Sequence, residues 1–313
     1  MTVGIGVMCE DGDCVVLASD LRVTYGKMKV TPHERAGKQY DFPPFNLAAC
    51  IAGSPSSTHA IVSEFSGQLR NLIEAWIRLR KDKPEARIYF EHIRNALEFA
   101  RKRELRRLQT CAMETDLGLS LRDWLKGKLP TGESFNEYAH KEGLRVLRRV
   151  KEDMYSKTAV IVGGFLRDEA VFCRALGALP VEESVTPAIF VIGGKGAVEA
   201  QQVLINRNQS IEMGIARTLL HVYEALKAAR SDKGVGDPCG YVVIRPHTKS
   251  APNGVLRFHS QHPILKKWSK EYALRDTEPL ESRFANDMIN GGMTVATAKR
   301  SQWLGPRSVM REL

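Results

Sequence analysis

The sequence predicts an α+β domain in which two β-sheets pack together with helices on the outside, and three observations carry that prediction. Short apolar runs of strand length gather near the N-terminus, between residues 157 and 194, and between residues 240 and 259. Longer stretches with apolar residues at helical spacing separate these groups. The order of strands, helices, strands, helices and strands suits two stacked sheets covered by helices.

The opening segment 2-TVGIGVMC-9, the turn 10-EDGD-13 and 14-CVVLASD-20 read as two strands joined through Asp11-Gly12, a hairpin signal. A third strand, 45-FNLAACIAG-53, follows Pro43 and Pro44, and 54-SPSS-57 offers a helix cap. Ile61, Val62, Phe65, Leu69, Leu72, Ile73, Trp76 and Ile77 predict a helix over 57–80. Ile88, Phe90, Ile93, Ala96, Leu97 and Ala100 predict a second over 85–108. Residues 110–133 and a further helix over 134–152 come next, and neither has the periodicity of a strand. Strands return at 157–165, 168–176 and 187–194, and a helix pair follows at 199–206 and 210–230. Strands at 240–246 and 254–259 close the series, and residues 264–313 resist assignment.

Composition is that of an ordinary folded protein, 43% hydrophobic and 26% charged in 313 residues, which argues against disorder and fibrous classes. The longest apolar stretches, such as 158-TAVIVGGFL-166, fall short of the roughly 18–20 residues that span a bilayer. The start has no basic n-region and is interrupted by Glu10, Asp11 and Asp13, so a cytoplasmic protein is expected. Six scattered cysteines form no CxxC pair and read as reduced, buried fillers. The net charge of +10 is concentrated locally: Arg101 to Lys151 contains thirteen Lys/Arg against seven Asp/Glu.

Thr2 is the first residue with chemical promise. A small second residue permits excision of Met1, leaving a threonine with a free α-amine beside its own hydroxyl. An α-amine with an unperturbed pKa of about 7.7–8.0 can act as the base for that hydroxyl near neutral pH. A Met-Thr start by itself carries little meaning, and the surrounding pattern must supply the rest. Asp20 and Arg22 stand at the end of the second strand in 16-VLASDLRVT-24, and Lys38 and the Ala52-Gly53 strand end lie in 37-GKQYDFPPFNLAACIAGS-54. Taken singly, they read as a strand-end ion pair, a solvated loop lysine and a turn glycine.

Together these segments resemble proteasome β subunits and HslV-type bacterial proteasome-like peptidases, over roughly two-thirds of the chain. The resemblance implies a four-layer αββα N-terminal-nucleophile (Ntn) hydrolase sandwich over residues 1–259, with a helical insertion at about 104–153 and an extension at 260–313. It implies Thr2 as nucleophile, Lys38 as the cation that lowers the hydroxyl pKa, and Asp20 as the carboxylate that orients Lys38. Gly53 would supply a backbone oxyanion donor, and Asp232, with Asp237 as the alternative, would support the amine. Arg22, Val23 and Thr24 would form an edge that pairs with an extended peptide, and Val23, Ala36 and Ile51 would line the pocket beside the scissile bond. No metal or organic cofactor is needed. Polypeptide substrates and a homo-oligomeric ring are implied, an ATPase unfoldase by analogy only, and no membrane partner.

The pattern departs from the family in three places. Thr2 to Asp20 is about two residues longer, which the 10–13 turn absorbs; 193-GGKG-196 has no serine where the family uses one; and no serine follows Asp232 at the expected place. These departures leave room for a non-proteolytic Ntn amidohydrolase or a catalytically silent ring or adaptor subunit. For the insertion, 101-RKRELRR-107, 145-RVLRRVK-151 and Trp124 could bind nucleic acid or an acidic surface, although a solvated charged face is the favoured reading.

Overall fold

A computed structural model describes residues 3–20, 23–25, 28–30, 38–43, 45–128, 132, 134, 136–183, 189–193, 195–230, 239–246 and 255–259. Strands β1 (Val3–Cys9) and β2 (Cys14–Asp20) are followed by the short β3 (Val23–Tyr25), β4 (Met28–Val30) and β5 (Gln39–Asp41), and then by β6 (Asn46–Gly53). Four helices come next: α1 (Pro55–Asp82), α2 (Phe90–Leu117), α3 (Leu121–Lys126) and α4 (Glu137–Lys157). Strands β7 (Thr158–Leu166), β8 (Glu169–Leu176), β9 (Glu182–Glu183) and β10 (Ile189–Gly193) precede α5 (Lys195–Asn206) and α6 (Ile215–Ala229). The strands β11 (Cys239–Ile244) and β12 (Val255–His259) complete the order.

The protein is α+β, and the described residues form two five-stranded antiparallel sheets in the orders β10-β1-β2-β11-β12 and β5-β6-β7-β8-β9, and a separate β3-β4 pair. Alternation along each strand assigns its two faces. Val16 and Ala18 of β2 pack with Leu219, Val222 and Leu226 of α6, whereas Val15 and Leu17 join Cys50, Ile161 and Phe172 from the second sheet. The other face of that sheet, through Leu47, Ile51, Val160 and Val162, packs on Ile61, Phe65 and Leu69 of α1 and Ile93 and Leu97 of α2. Both faces of β2 and β7 are therefore covered, and each strand is buried at every position. Each fully buried side chain, Phe65 or Leu17 for example, contributes about 1.5–3 kcal/mol from burial.

The β1–β2 connection is larger than a two-residue hairpin turn. Cys9 pairs with Cys14, leaving four residues between them, of which Glu10, Asp11 and Gly12 have φ of 54, 57 and 98°. Two non-glycine residues in left-handed conformations need external support. The amides of Glu10 and Asp11 donate to Met213 O and Ile211 O, each at 2.9 Å, and Arg245 holds both carboxylate oxygens of Glu10.

Two sequence expectations require correction. Helix α2 does not end near 108 but runs to Leu117, and α3 follows it within the 110–133 stretch, to which the sequence reading assigns no element. Met113, Leu121 and Trp124 of that stretch, with Val146 of α4, are the buried members of its small core, and Ala112, Leu117 and Leu147 pack against them half-buried. Gly143 permits this core, because a Cβ there would meet Trp124 Nε1 at 1.9 Å, and the Trp124 ring stacks on His140 with centroids 5.3 Å apart. The second correction concerns the cysteines: five are buried, but Cys111 is exposed. No helix among the described residues is long and apolar enough to cross a membrane. The tail at 260–313 lies outside the described residues.

Candidate active site

Asp20 is the last residue of β2 and is fully buried; Lys38 immediately precedes β5 and is 6% exposed. Eighteen residues apart in sequence and belonging to different sheets, they meet with Lys38 Nζ donating to Asp20 Oδ2 at 2.7 Å. The second carboxylate oxygen, Oδ1, accepts the backbone N–H of Val3 at 2.9 Å. One carboxylate therefore links the start of β1 to a buried ammonium. Such a charge persists in the interior only with a carboxylate partner and hydrogen bonds of this quality.

The neighbours of Lys38 explain its position. Its carbonyl accepts the Ile51 amide at 2.9 Å, and the next residue, Gln39, reaches across to Gly240 O of the other sheet at 2.8 Å. A polar side chain that ties the β5 edge to β11 was not foreseen as a site residue, although its place beside Lys38 was a usable signal. Ile51 itself is buried and faces α1. Two residues further along β6 stands Gly53, which is exposed and has φ of 110°. It abuts the N-terminus of the 28-residue α1, where the helix dipole favours negative charge.

Gly53 could not be another residue without strain. A Cβ there would lie 2.0 Å from the carbonyl oxygen of Lys157, which also accepts the Ser54 amide at 2.5 Å. Gly53→Ala is accordingly expected to lower stability by about 1–3 kcal/mol, read as a reduced midpoint in urea unfolding. An unchanged midpoint would mean the strand end relaxes freely.

The described residues thus join Val3, Asp20, Lys38 and Ile51 through three hydrogen bonds. Val23 and Thr24 lie in β3, paired with Val30 and Lys29. Thr2, Arg22, Ala36 and Asp232 lie outside the described residues.

A second polar group is buried against α6. His221 Nδ1 meets Gln209 Oε1 at 2.8 Å, and Gln209 Nε2 donates to Thr218 Oγ1 at 3.0 Å. Burial, with the charges of Arg207 and Arg217, lowers the His221 pKa from 6.5 to about 4. Above the unfolded value the imidazole is neutral in both states and costs nothing. As pH falls from about 6.5 towards 4 the unfolded chain binds a proton that the folded one refuses, so stability is lost across that window. The loss should reach about 3 kcal/mol and be absent from His221→Gln, as measured by urea unfolding at pH 7.5 and pH 4. A difference between the two proteins that does not vary with pH would contradict this.

No protein-family profile and no curated protein matches the sequence. Among solved structures, the chain is similar to Anbu (ancestral beta-subunit) from Yersinia bercovieri, with a TM-score of 0.52 and 13% identity, covering 96% of this chain and 100% of that one. It is also similar to an Anbu (Gly-1) mutant from Hyphomicrobium sp. strain MC1, with a TM-score of 0.49 and 15% identity, covering 92% of this chain and 100% of that one. These findings correct the family resemblance drawn from the sequence. Both of these structures are Anbu proteins and not HslV-type peptidases, and at 13% identity the relationship is distant and rests on the fold.

Proposed function

We propose that the chain is an N-terminal-nucleophile hydrolase that cleaves peptide bonds with Thr2, exposed as the terminal residue by excision of Met1. The observation that carries this reading is the buried Asp20–Lys38 pair whose carboxylate also holds the amide of Val3. Val3 is bonded directly to Thr2, so the pair is anchored one peptide unit from the reacting residue.

The free α-amine of Thr2 takes the hydroxyl proton, and the ammonium of Lys38 favours the developing negative charge on Oγ. Attack on the substrate carbonyl gives a tetrahedral oxyanion, which the backbone N–H of Gly53 and the α1 dipole stabilise. Loss of the amine leaves an acyl ester on Thr2, and water releases it. Gly53 fits this role because a side chain there would obstruct the oxyanion as well as strain the strand. Asp232 supports the amine, while Arg22, Val23 and Thr24 hold an extended peptide by strand pairing, and Ala36 and Ile51 contribute to an apolar pocket.

In this reading the stacking of α5 and α6, the two sheets, and α1 and α2 is the four-layer αββα sandwich. Residues 1–259 form one domain carrying a helical insertion at about 104–153, and 260–313 is an extension. The description of the Yersinia protein as an ancestral beta-subunit supports assembly into a homo-oligomeric ring that encloses the sites. A panel of fluorogenic peptides and small amides tests the activity. Cleavage of peptides with apolar residues beside the scissile bond is expected, whereas turnover of small amides alone would make the chain a non-proteolytic amidohydrolase.

A further inference from the structure

Gly53 is pinned from behind by the end of α4. Lys157, the last residue of that helix, places its carbonyl oxygen in the space a Gly53 Cβ would fill and accepts the Ser54 amide at 2.5 Å. The last four carbonyls of a helix have no partner within it, and this one is satisfied by the residue after Gly53. Thr158 follows Lys157 without a linker, begins β7 and pairs with Gly53 across the sheet. On the other edge of β6 the Ile51 amide donates to Lys38 O, and alternation sends the Gly53 N–H to that same edge. The donor therefore leaves the strand on the side of Lys38, with α4 at its back. The junction is also clasped from β8, where the Gly177 amide donates to Thr158 O at 2.7 Å and a Cβ on Gly177 would lie 2.1 Å from Tyr155 Cα.

The other end of α4 is fixed elsewhere. The helix has 21 residues and extends about 30 Å. In its first half Gly143 abuts Trp124, His140 stacks on the same ring, and Val146 joins Trp124, Met113 and Leu121 in the small core. Arg149 pairs with Asp116 of α2. Met154, one turn before the junction, belongs instead to the core shared by the second sheet, α1 and α2. One stiff rod is thus seated in two separate cores, and a shift at either end reaches the other.

We propose that α4 positions the oxyanion donor: the small core around Trp124 seats the helix, and the Lys157 carbonyl at its end holds Gly53 in place. The proposal rests on the Thr2 reading, which gives the Gly53 N–H its role. Lys157 is a positioning residue that acts through its backbone. Its effect falls on the transition state, because the oxyanion exists only there, and not on substrate binding. A misplacement of about 1 Å can cost about 10²-fold, and loss of a whole oxyanion donor about 10²–10³.

Trp124→Ala, which empties the small core and touches neither sheet, tests this in the full chain. Against the best fluorogenic peptide, kcat should fall about ten- to a hundredfold while KM stays within about twofold. Hydrogen exchange at the Ser54 amide, resolved by electron-transfer fragmentation, should quicken at least about tenfold, with the Leu17 amide of the other sheet unchanged. Trp124→Phe, which keeps a ring against His140, should restore both readouts, and Leu125→Ala, an exposed neighbour, should change neither. Val146→Ala should give the same pattern at smaller amplitude, and it replaces Trp124→Ala should that chain not fold. Unchanged Ser54 exchange, or faster exchange with unchanged kcat, overturns the proposal. Equal quickening at Leu17 also overturns it, since the loss would then be one of global stability. No turnover in the unsubstituted chain rejects the Thr2 reading and this role with it, whereas normal turnover with unchanged Ser54 exchange in the variants rejects the proposal alone.

Discussion

Thr2→Ala is expected to abolish turnover, by at least about a thousandfold, while the folded oligomer survives. Removing the only nucleophile leaves no acylation route, and such losses in other hydrolases are of this size or larger. Lys38→Ala should fall in the same direction by about 10²–10⁴, the usual contribution of a group that assists proton transfer or stabilises charge at the reacting atom. Both variants are to be measured as kcat against the best peptide, with oligomeric mass as control. Substantial activity in either rejects the mechanism. The oligomeric-mass control separates a loss of mechanism from a loss of fold.

Asp20→Ala is expected to have the largest effect on stability. It removes the carboxylate that holds the Lys38 ammonium at 2.7 Å and the Val3 amide at 2.9 Å, both in the interior. Breaking a buried pair from one side costs about 3–5 kcal/mol, because the remaining charge is left without its counter-charge. Replacing both partners, Asp20→Ala with Lys38→Met, should recover most of that stability without restoring activity. The expected outcome in urea is thus a large drop for the single variant and a small one for the double. Equal drops would mean that the carboxylate acts mainly through Val3.

Much of the fold was legible because its strands announce themselves. The runs at 3–9, 14–20, 46–53 and 158–166 are short, apolar and bounded by turns, since sheets covered on both faces need apolar residues at every position. The short β3, β4 and β5 were not legible, as three-residue strands hold too little pattern to distinguish them from loop. The continuation of α2 past 108 was also missed. There the helix packs on α3 and α4 through Met113, with Ala112 and Leu117 partly buried beside it, while Cys111, Glu114, Thr115 and Asp116 fill its exposed positions.

The site was legible only through resemblance. Nothing in the spacing of Asp20 and Lys38 brings them together; their meeting depends on β2 and β5 lying in different sheets that face each other at this end. Lys38 taken alone reads as a surface lysine, and its burial is a property of the fold. The family assignment failed where identity is low, yet the pairing of Asp20 and Lys38 is a feature of the structure irrespective of that name.

The central claim is that a terminal threonine reacts under the influence of the Asp20–Lys38 pair. Intact-mass and peptide-mapping spectrometry after treatment with a β-lactone acylating agent tests this most directly. The account predicts a chain lacking Met1, acylated once and on Thr2, with labelling lost in Lys38→Ala. Retention of Met1, or an acyl group carried by any other residue, would contradict it.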